Sequence, residues 1–171
     1  ETTLISGPTN LKIDQTINLI KVETANEMLE ATQDNLPADV AIFSAAVADF
    51  KIKNQKIKKI KKDENINLNL EKNIDILNYI SNHNSLRPKL VIGFAAETNN
   101  ITENAKKKLI EKNCDWIIAN DVSKKFIGFN SDFNEVSIFY KDEKINDEKL
   151  LMKKKSEISD EIIDRVINQL N

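Results

Sequence analysis

Three apolar runs, each closing on small residues and a polar group, restrict this chain more than any other feature. They are Val40 to Val47 followed by Ala48 and Asp49, Leu90 to Ala96 followed by Glu97, and Trp116 to Ala119 followed by Asn120 and Asp121. Runs this apolar and this short read as strands covered on both faces, which is the habit of parallel sheets. A stretch with helical spacing precedes or follows each of them, and strands alternating with helices give a doubly wound parallel sheet. Right-handed crossovers bring the carboxyl ends of such strands to one edge, where open α/β sheets bind their ligands.

The remaining segments fit around that frame. Thr2 to Pro8 reads as a strand closing in a tight turn, and Ile17 to Val22 as a second strand. Thr24 with Glu27 three residues on forms a capping box that opens a helix running to about Leu36, before Pro37. Ile66 to Leu70 alternates with period two and predicts a half-exposed, edge strand. Asn73 to Leu77 is expected to begin a helix with Asn73 as its cap, and another helix is expected from about Asn100 to Lys112. Glu135 to Tyr140 alternates and reads as antiparallel. Ser156 to Leu170 places Ile158, Ile162, Ile163, Val166, Ile167 and Leu170 on helical spacing.

Composition excludes several functions. A length of 171 residues suits one domain with a substantial core. A net charge of −2 argues against general nucleic-acid binding, and no run reaches the roughly 18 apolar residues of a membrane helix. The single cysteine, Cys114, allows no internal disulfide and no cysteine-cluster metal site. The single histidine, His83, sits in a polar stretch and reads as a solvated loop residue. Nothing at the amino end reads as a signal peptide, and the cytoplasm is the expected compartment.

Positive charge is local. Lys51, Lys53, Lys56, Lys58, Lys59, Lys61 and Lys62 follow the first strand mouth, and residues 51–63 are expected to form a mobile lysine-rich flap. Most of these lysines are expected to be a solvated surface. One or two, beside the strand mouth, could neutralise a triphosphate and a departing pyrophosphate. On position alone Asp49 is a cap or turn residue, and its functional alternative is a contact to a ribose or to a metal-bound triphosphate. Asn73 to Leu77 could be only a cap, or could offer backbone N–H groups to phosphate. Phe94 fits a core position or a base-stacking one. Lys108 and Lys112 stand four residues apart on one helix face, a like-charge arrangement that favours an anionic neighbour. There is no Walker glycine-lysine loop, no nucleophile–histidine pair and no dinucleotide glycine fingerprint.

As an ordered set the motifs are more specific. Ser6-Gly7-Pro8-Thr9, Ala45-Ala46-Val47-Ala48-Asp49-Phe50, Lys59-Ile60-Lys61-Lys62, Asn73-Ile74-Asp75-Ile76-Leu77, Gly93-Phe94-Ala95-Ala96-Glu97-Thr98, Ala119-Asn120-Asp121-Val122-Ser123 and Gly128-Phe129-Asn130-Ser131-Asp132 occur in this sequence order. In them the chain resembles the phosphopantothenate–cysteine ligases, which in many bacteria form the carboxy-terminal half of a bifunctional coenzyme A biosynthesis protein. The resemblance implies a Rossmann-like, mainly parallel sheet with helices on both faces, in one domain over residues 1–171. It also implies a homodimer that uses CTP with Mg²⁺ to join 4′-phosphopantothenate and L-cysteine through an acyl-cytidylate, with FMN needed only by an upstream decarboxylase domain. Neither a nucleic acid nor a membrane is an expected partner.

Carried over by motif, Phe43, Ser44 and Ala45 hold the cytosine with their backbone, and Asp49 contacts the nucleotide. Ile74, Asp75, Ile76 and Leu77 set a helix start at the CTP, Phe94 lines the pocket, and Lys108 and Lys112 face the phosphates. The catalytic flap lysine falls on Lys59, although the same motif can be read one step earlier at Lys56-Ile57-Lys58-Lys59. Ile74 stands where the family commonly has proline, which merely presets the first helical turn. The family's first strand and first glycine-rich loop have no counterpart here. Both are expected ahead of this stretch of sequence, the strand lying in the sheet between Thr3–Ser6 and Ile42–Val47, so the chain reads as lacking a central strand. The alternative function is a Rossmann-like nucleotide-binding module without ligation chemistry.

Overall fold

A computed structural model describes residues 1–54, 67–123 and 131–171. In chain order the elements are β1 (Thr3–Ser6), β2 (Asn18–Lys21), α1 (Ala25–Asp34), β3 (Val40–Phe43), β4 (Phe50–Ile52), β5 (Leu70–Lys72), α2 (Ile76–Ser81), β6 (Leu90–Glu97), α3 (Ile101–Lys112), β7 (Trp116–Asp121), β8 (Phe133–Tyr140), β9 (Glu148–Lys154) and α4 (Lys155–Leu170).

The main sheet has five strands in the order β3-β6-β7-β8-β9. β3, β6 and β7 run parallel, and β8 and β9 add an antiparallel border. Alternation along the central strands sorts side chains onto two helical layers. Leu90, Ile92, Trp116, Ile118 and Ile138 pack with Ile158, Ile162 and Val166 of α4 on one face. Val91, Ala95, Ile117, Ala119 and Phe139 pack with Ala105 and Leu109 of α3 on the other. The expected Rossmann-like fold, with a mostly parallel sheet covered on both faces, is therefore what the chain adopts. A third cluster joins Leu29 of α1 to Ile76 and Ile80 of α2.

β1 and β2 form their own parallel pair, and β4 and β5 an antiparallel one. Among the described residues β1 makes no ladder with β3.

Several expectations need correction. The strand expected from Val40 to Val47 ends at Phe43, and it is not covered on both faces, since Ile42 is 42 % exposed. The reason is its place: β6 is its one described ladder partner, so it borders the sheet. The helix expected to be capped by Asn73 is capped by Asp75 instead. Asn73 is already committed, because its N–H donates to Asp49 O (2.8 Å) and its Nδ2 to Ala48 O (2.8 Å). The strand expected at Ile66–Leu70 is β5, which begins where that stretch ends. Of the lysine segment 51–63, Lys51 and Ile52 belong to β4, and residues 55–63 lie outside the described residues.

His83 is half-buried rather than solvated. Its Nδ1 accepts the Leu86 N–H (3.0 Å) and its ring meets Tyr79 edge-on, so it shapes the turn after α2. β9 has no forerunner in the sequence reading. Leu150, Leu151 and Met152 break the period of two, and a bulge between Asn134 and Val136 shifts its register.

Candidate functional site

Parallel pairing places the ends of β3, β6 and β7 side by side. Phe43 lies opposite Gly93, and Ala96 and Glu97 lie opposite Asn120 and Asp121. The three small-plus-polar clusters thus share one edge, as their spacing predicts.

A cleft of about 830 Å³ opens beside that edge. The Ser6–Thr9 turn after β1 and the start of α1 form one side. Ala45 to Ala48 form the floor, and Phe50 to Lys53 with Glu71 and Asn73 form the other side. Alanines expose backbone without filling space, so the floor is shallow and can face a flat or extended ligand. Glu27 rigidifies the near wall. Its carboxylate accepts the Glu23 N–H (2.7 Å), which holds it below the usual carboxylate range, while Thr24 Oγ1 accepts the Glu27 N–H (3.2 Å). On the far wall Lys51 Nζ donates to Asn26 Oδ1 (3.3 Å) and lies 3.7 Å from Glu71, spanning the cleft from hairpin to helix. Lys51 and Lys53 supply positive charge, and Asn26 and Asn73 supply amide groups.

The sequence-derived residues divide into two groups. Ala45 lines the cleft. Phe43 packs against both the α3-side core and the cluster of Leu29, Ile76 and Ile80, and Ser44 and Asp49 are exposed on the loop after β3. Ile74 is exposed, while Ile76 is buried. Asp75 caps α2 by accepting the Asn78 N–H (2.9 Å), and its other oxygen is paired with Lys112. Lys108 is paired with Glu97 at 2.7 Å. The structure therefore joins Asp75 to Lys112 and packs Leu77 and Phe43 against one core cluster. Phe94 is separated from them, since its side chain packs on the α4 face of the sheet. Lys59 and Lys56 lie outside the described residues.

Sequence reasoning singled out no role for Asn26, gave Asn73 only a helix-start role and counted Lys51 and Lys53 only as members of the lysine run, yet all four line the cleft. Lys51 and Lys53 were legible as members of the lysine run, but the hairpin that turns them inward was not. Among the described residues no group of three or more His, Cys, Asp or Glu could hold a metal ion. No described helix is long and apolar enough to cross a membrane.

Comparison with known proteins agrees with this fold. Residues 1–170 match the family model described as the DNA/pantothenate metabolism flavoprotein C-terminal domain. The coenzyme A biosynthesis bifunctional protein CoaBC of Haemophilus influenzae is 38 % identical over 169 residues, covering 98 % of this chain and 41 % of that protein. The protein of the same name from Borreliella burgdorferi is 42 % identical over 168 residues, covering 95 % of this chain and again 41 % of the relative. The chain thus spans about two fifths of the length of these relatives. Among solved structures, the C-terminal domain of a coenzyme A biosynthesis bifunctional protein CoaBC superposes with a TM-score of 0.76 at 34 % identity, covering 98 % of this chain and 74 % of that one. A DNA/pantothenate metabolism flavoprotein from Streptococcus pneumoniae shares the fold with a TM-score of 0.75 at 19 % identity, covering 98 % of this chain and 80 % of that one.

Proposed function

We propose that this chain, which belongs to the DNA/pantothenate metabolism flavoprotein C-terminal domain family, is the phosphopantothenate–cysteine ligase part of coenzyme A biosynthesis. The similarity over residues 1–170 to proteins named for coenzyme A biosynthesis carries the reading. The single carboxyl edge and its alanine-floored cleft support it.

In this reading a carboxylate oxygen of 4′-phosphopantothenate attacks the α-phosphorus of CTP. The bond to the β-phosphate breaks, pyrophosphate leaves and an acyl-cytidylate forms. The neutral amine of L-cysteine then attacks the acyl carbon, the bond to CMP breaks, and the nitrogen loses a proton to give the amide. Mg²⁺ enters as part of the substrate Mg-CTP, its oxygens supplied by phosphates and water as is usual for this ion. FMN has no part in either step and belongs to a decarboxylase domain where one is joined.

The residue roles follow the motif. The backbone of Phe43, Ser44 and Ala45 and the side chain of Asp49 hold the nucleoside, with Ile74 to Leu77 bounding it, while Phe94 supports the end of β6 from the α4 face of the sheet. Lys108 and Lys112 attract the phosphates. Lys59 stabilises the charge that builds on the departing pyrophosphate, a task suited to an ammonium placed in advance. The enzyme works as a homodimer in the cytoplasm.

The test is product release by the full-length protein. Pyrophosphate should appear from Mg-CTP only with 4′-phosphopantothenate present, and CMP only once L-cysteine is added. Mg-CTP at a hundred times its dissociation constant should stabilise the fold by about 2.7 kcal/mol, and Mg-ATP should not. Stabilisation by CTP with neither product released would identify a binding module instead. Lys59→Ala should slow pyrophosphate release without lowering the melting temperature, and a wild-type rate would return the lysine run to solvent.

A further inference from the structure

Three consecutive lysines on α3 each meet a carboxylate, and one pair differs from the others. Lys106 pairs with Asp147 (2.7 Å) and Lys107 lies 3.8 Å from Glu111, with both partners well exposed in each case. Lys108 pairs with Glu97, whose side chain is only 10 % exposed. Glu97 closes β6 at the carboxyl edge, and its second oxygen accepts Asn104 Nδ2 (3.0 Å) from the turn of α3 before Lys108. Its backbone is fixed as well, since Glu97 O accepts the Val122 N–H (2.9 Å).

Burying a carboxylate is costly, and an apolar side chain of similar size would often be neutral or stabilising at such a place. An exposed ion pair adds little stability. Stability alone therefore does not account for Glu97. The arrangement instead biases a long, rotamer-rich side chain toward one position: Lys108 Nζ lies 2.7 Å from Glu97 Oε1 as a charge pair, although that buried oxygen accepts no hydrogen bond among the described residues. An ammonium held in place before binding does not lose that freedom when a phosphate arrives.

We propose that Glu97 is a positioning residue which, anchored by Asn104, holds the Lys108 ammonium where the polyphosphate of the nucleotide binds. This rests on the ligase reading above and adds to it a residue that does not itself touch the nucleotide.

Two roles for Glu97 predict opposite signs. A mere counter-ion competes with phosphate, so removing its charge should tighten CTP binding. A positioning residue should weaken CTP binding when its charge is removed, although the site becomes more positive. Glu97→Gln keeps the volume and an acceptor for Asn104, but turns an amide toward Lys108.

The experiment is calorimetric titration of the full-length protein with Mg-CTP and with CMP, for wild type, Glu97→Gln, Lys108→Ala and the double variant. Glu97→Gln should bind CTP about tenfold more weakly, a loss of about 1.4 kcal/mol. CMP binding should be unchanged, and the double variant should be no weaker than Lys108→Ala alone. Asn104→Ala provides a second variant should Glu97→Gln not fold, with a smaller loss of the same sign. CTP binding by Glu97→Gln as tight as wild type or tighter overturns the proposal, as do losses in the two single variants that simply add. A wild-type protein that ignores CTP overturns the ligase reading itself, which separates the two failures.

Discussion

Gly93 on β6 leaves room for Leu77 of α2: a Cβ placed on Gly93 would lie 2.5 Å from Leu77 Cδ2 and 3.0 Å from Ile117 Cδ1. The missing side chain is what lets the helix that follows the hairpin sit directly on the parallel strands. It also lets Leu77 pack on the same core cluster as Phe43. Gly93→Ala should therefore cost about 1–3 kcal/mol through overpacking. In a chain of this size each kcal/mol lowers the melting temperature by about 2–4 °C. Gly93→Ala combined with Leu77→Ala should be less destabilised than the sum of the two, because the second change removes the clash. Strict additivity in thermal melts would remove this contact as the cause.

Asp75 has two tasks that substitution can separate. One oxygen caps α2, and the other pairs with Lys112. Asparagine caps as well as aspartate does, whereas alanine cannot cap. Asp75→Asn should thus leave stability within a few tenths of a kcal/mol, while Asp75→Ala costs about 1 kcal/mol. Asp75→Asn also leaves Lys112 without its counter-ion, so CTP should bind at least as tightly as in wild type. Urea melts check the first statement and titration with Mg-CTP the second. Equal destabilisation by both variants would make the ion pair, not the cap, the larger effect.

The same residues explain what was legible beforehand. β6 and β7 match the expected strand ends because both faces of each are covered, and an unbroken apolar run carries that fact locally. Phe43 to Val47 is just as apolar, yet only Phe43 belongs to a strand. Whether a run stays in a ladder depends on its neighbours, which residue types do not encode. The cap at Asp75 was displaced for a similar reason: Asn73 is a good capping residue in isolation, but the loop carbonyls of Ala48 and Asp49 claim it first. At the site, the shared edge followed from chain order. The cleft walls did not, because a hairpin brings Lys51 across to Asn26 over a separation of 25 residues. Pairing of Lys108 with Glu97 was within reach, since both sit at spacings that face one strand end.

Alkaline pH should unfold this protein sooner than its composition suggests. Burial pushes the Cys114 thiol from 9.0 up to about 11. Tyr140 is raised as well, first by burial and then by the hydrogen bond its hydroxyl donates to Glu148 (2.6 Å). Both groups are neutral when protonated and hold the proton more tightly in the folded chain. Above about pH 9 the folded state therefore binds more protons than the unfolded state, and stability falls as pH rises, by at most about 1.4 kcal/mol per pH unit for each group. Urea melts between pH 8 and 11 should show this slope, and Cys114→Ala should flatten its lower part. An identical slope in Cys114→Ala and Tyr140→Phe would assign the alkaline limb to other groups.

Arg87 should be the costliest single charged side chain to lose. Its Nε donates to Ser81 O (2.8 Å), and its terminal nitrogens donate to Pro88 O (3.0 Å), Asn113 O (3.2 Å) and Asp115 Oδ2 (2.9 Å). That carboxylate oxygen in turn accepts the Val91 N–H at 2.7 Å, where β6 begins. One guanidinium thus ties the ends of α2 and α3 to the starts of β6 and β7, at the sheet edge opposite the cleft. Removing it leaves several part-buried acceptors without a donor, each worth about 1–3 kcal/mol when unsatisfied. Partial hydration at this rim reduces the sum, so Arg87→Ala should cost about 2–3 kcal/mol. Lysine cannot reproduce the fork, and Arg87→Lys should recover less than half of that loss. Because the network stands away from the cleft, CTP affinity measured well below the melting temperature should stay at the wild-type value in both variants. A loss of affinity without a loss of stability would mean that Arg87 acts on the site through the strands it anchors.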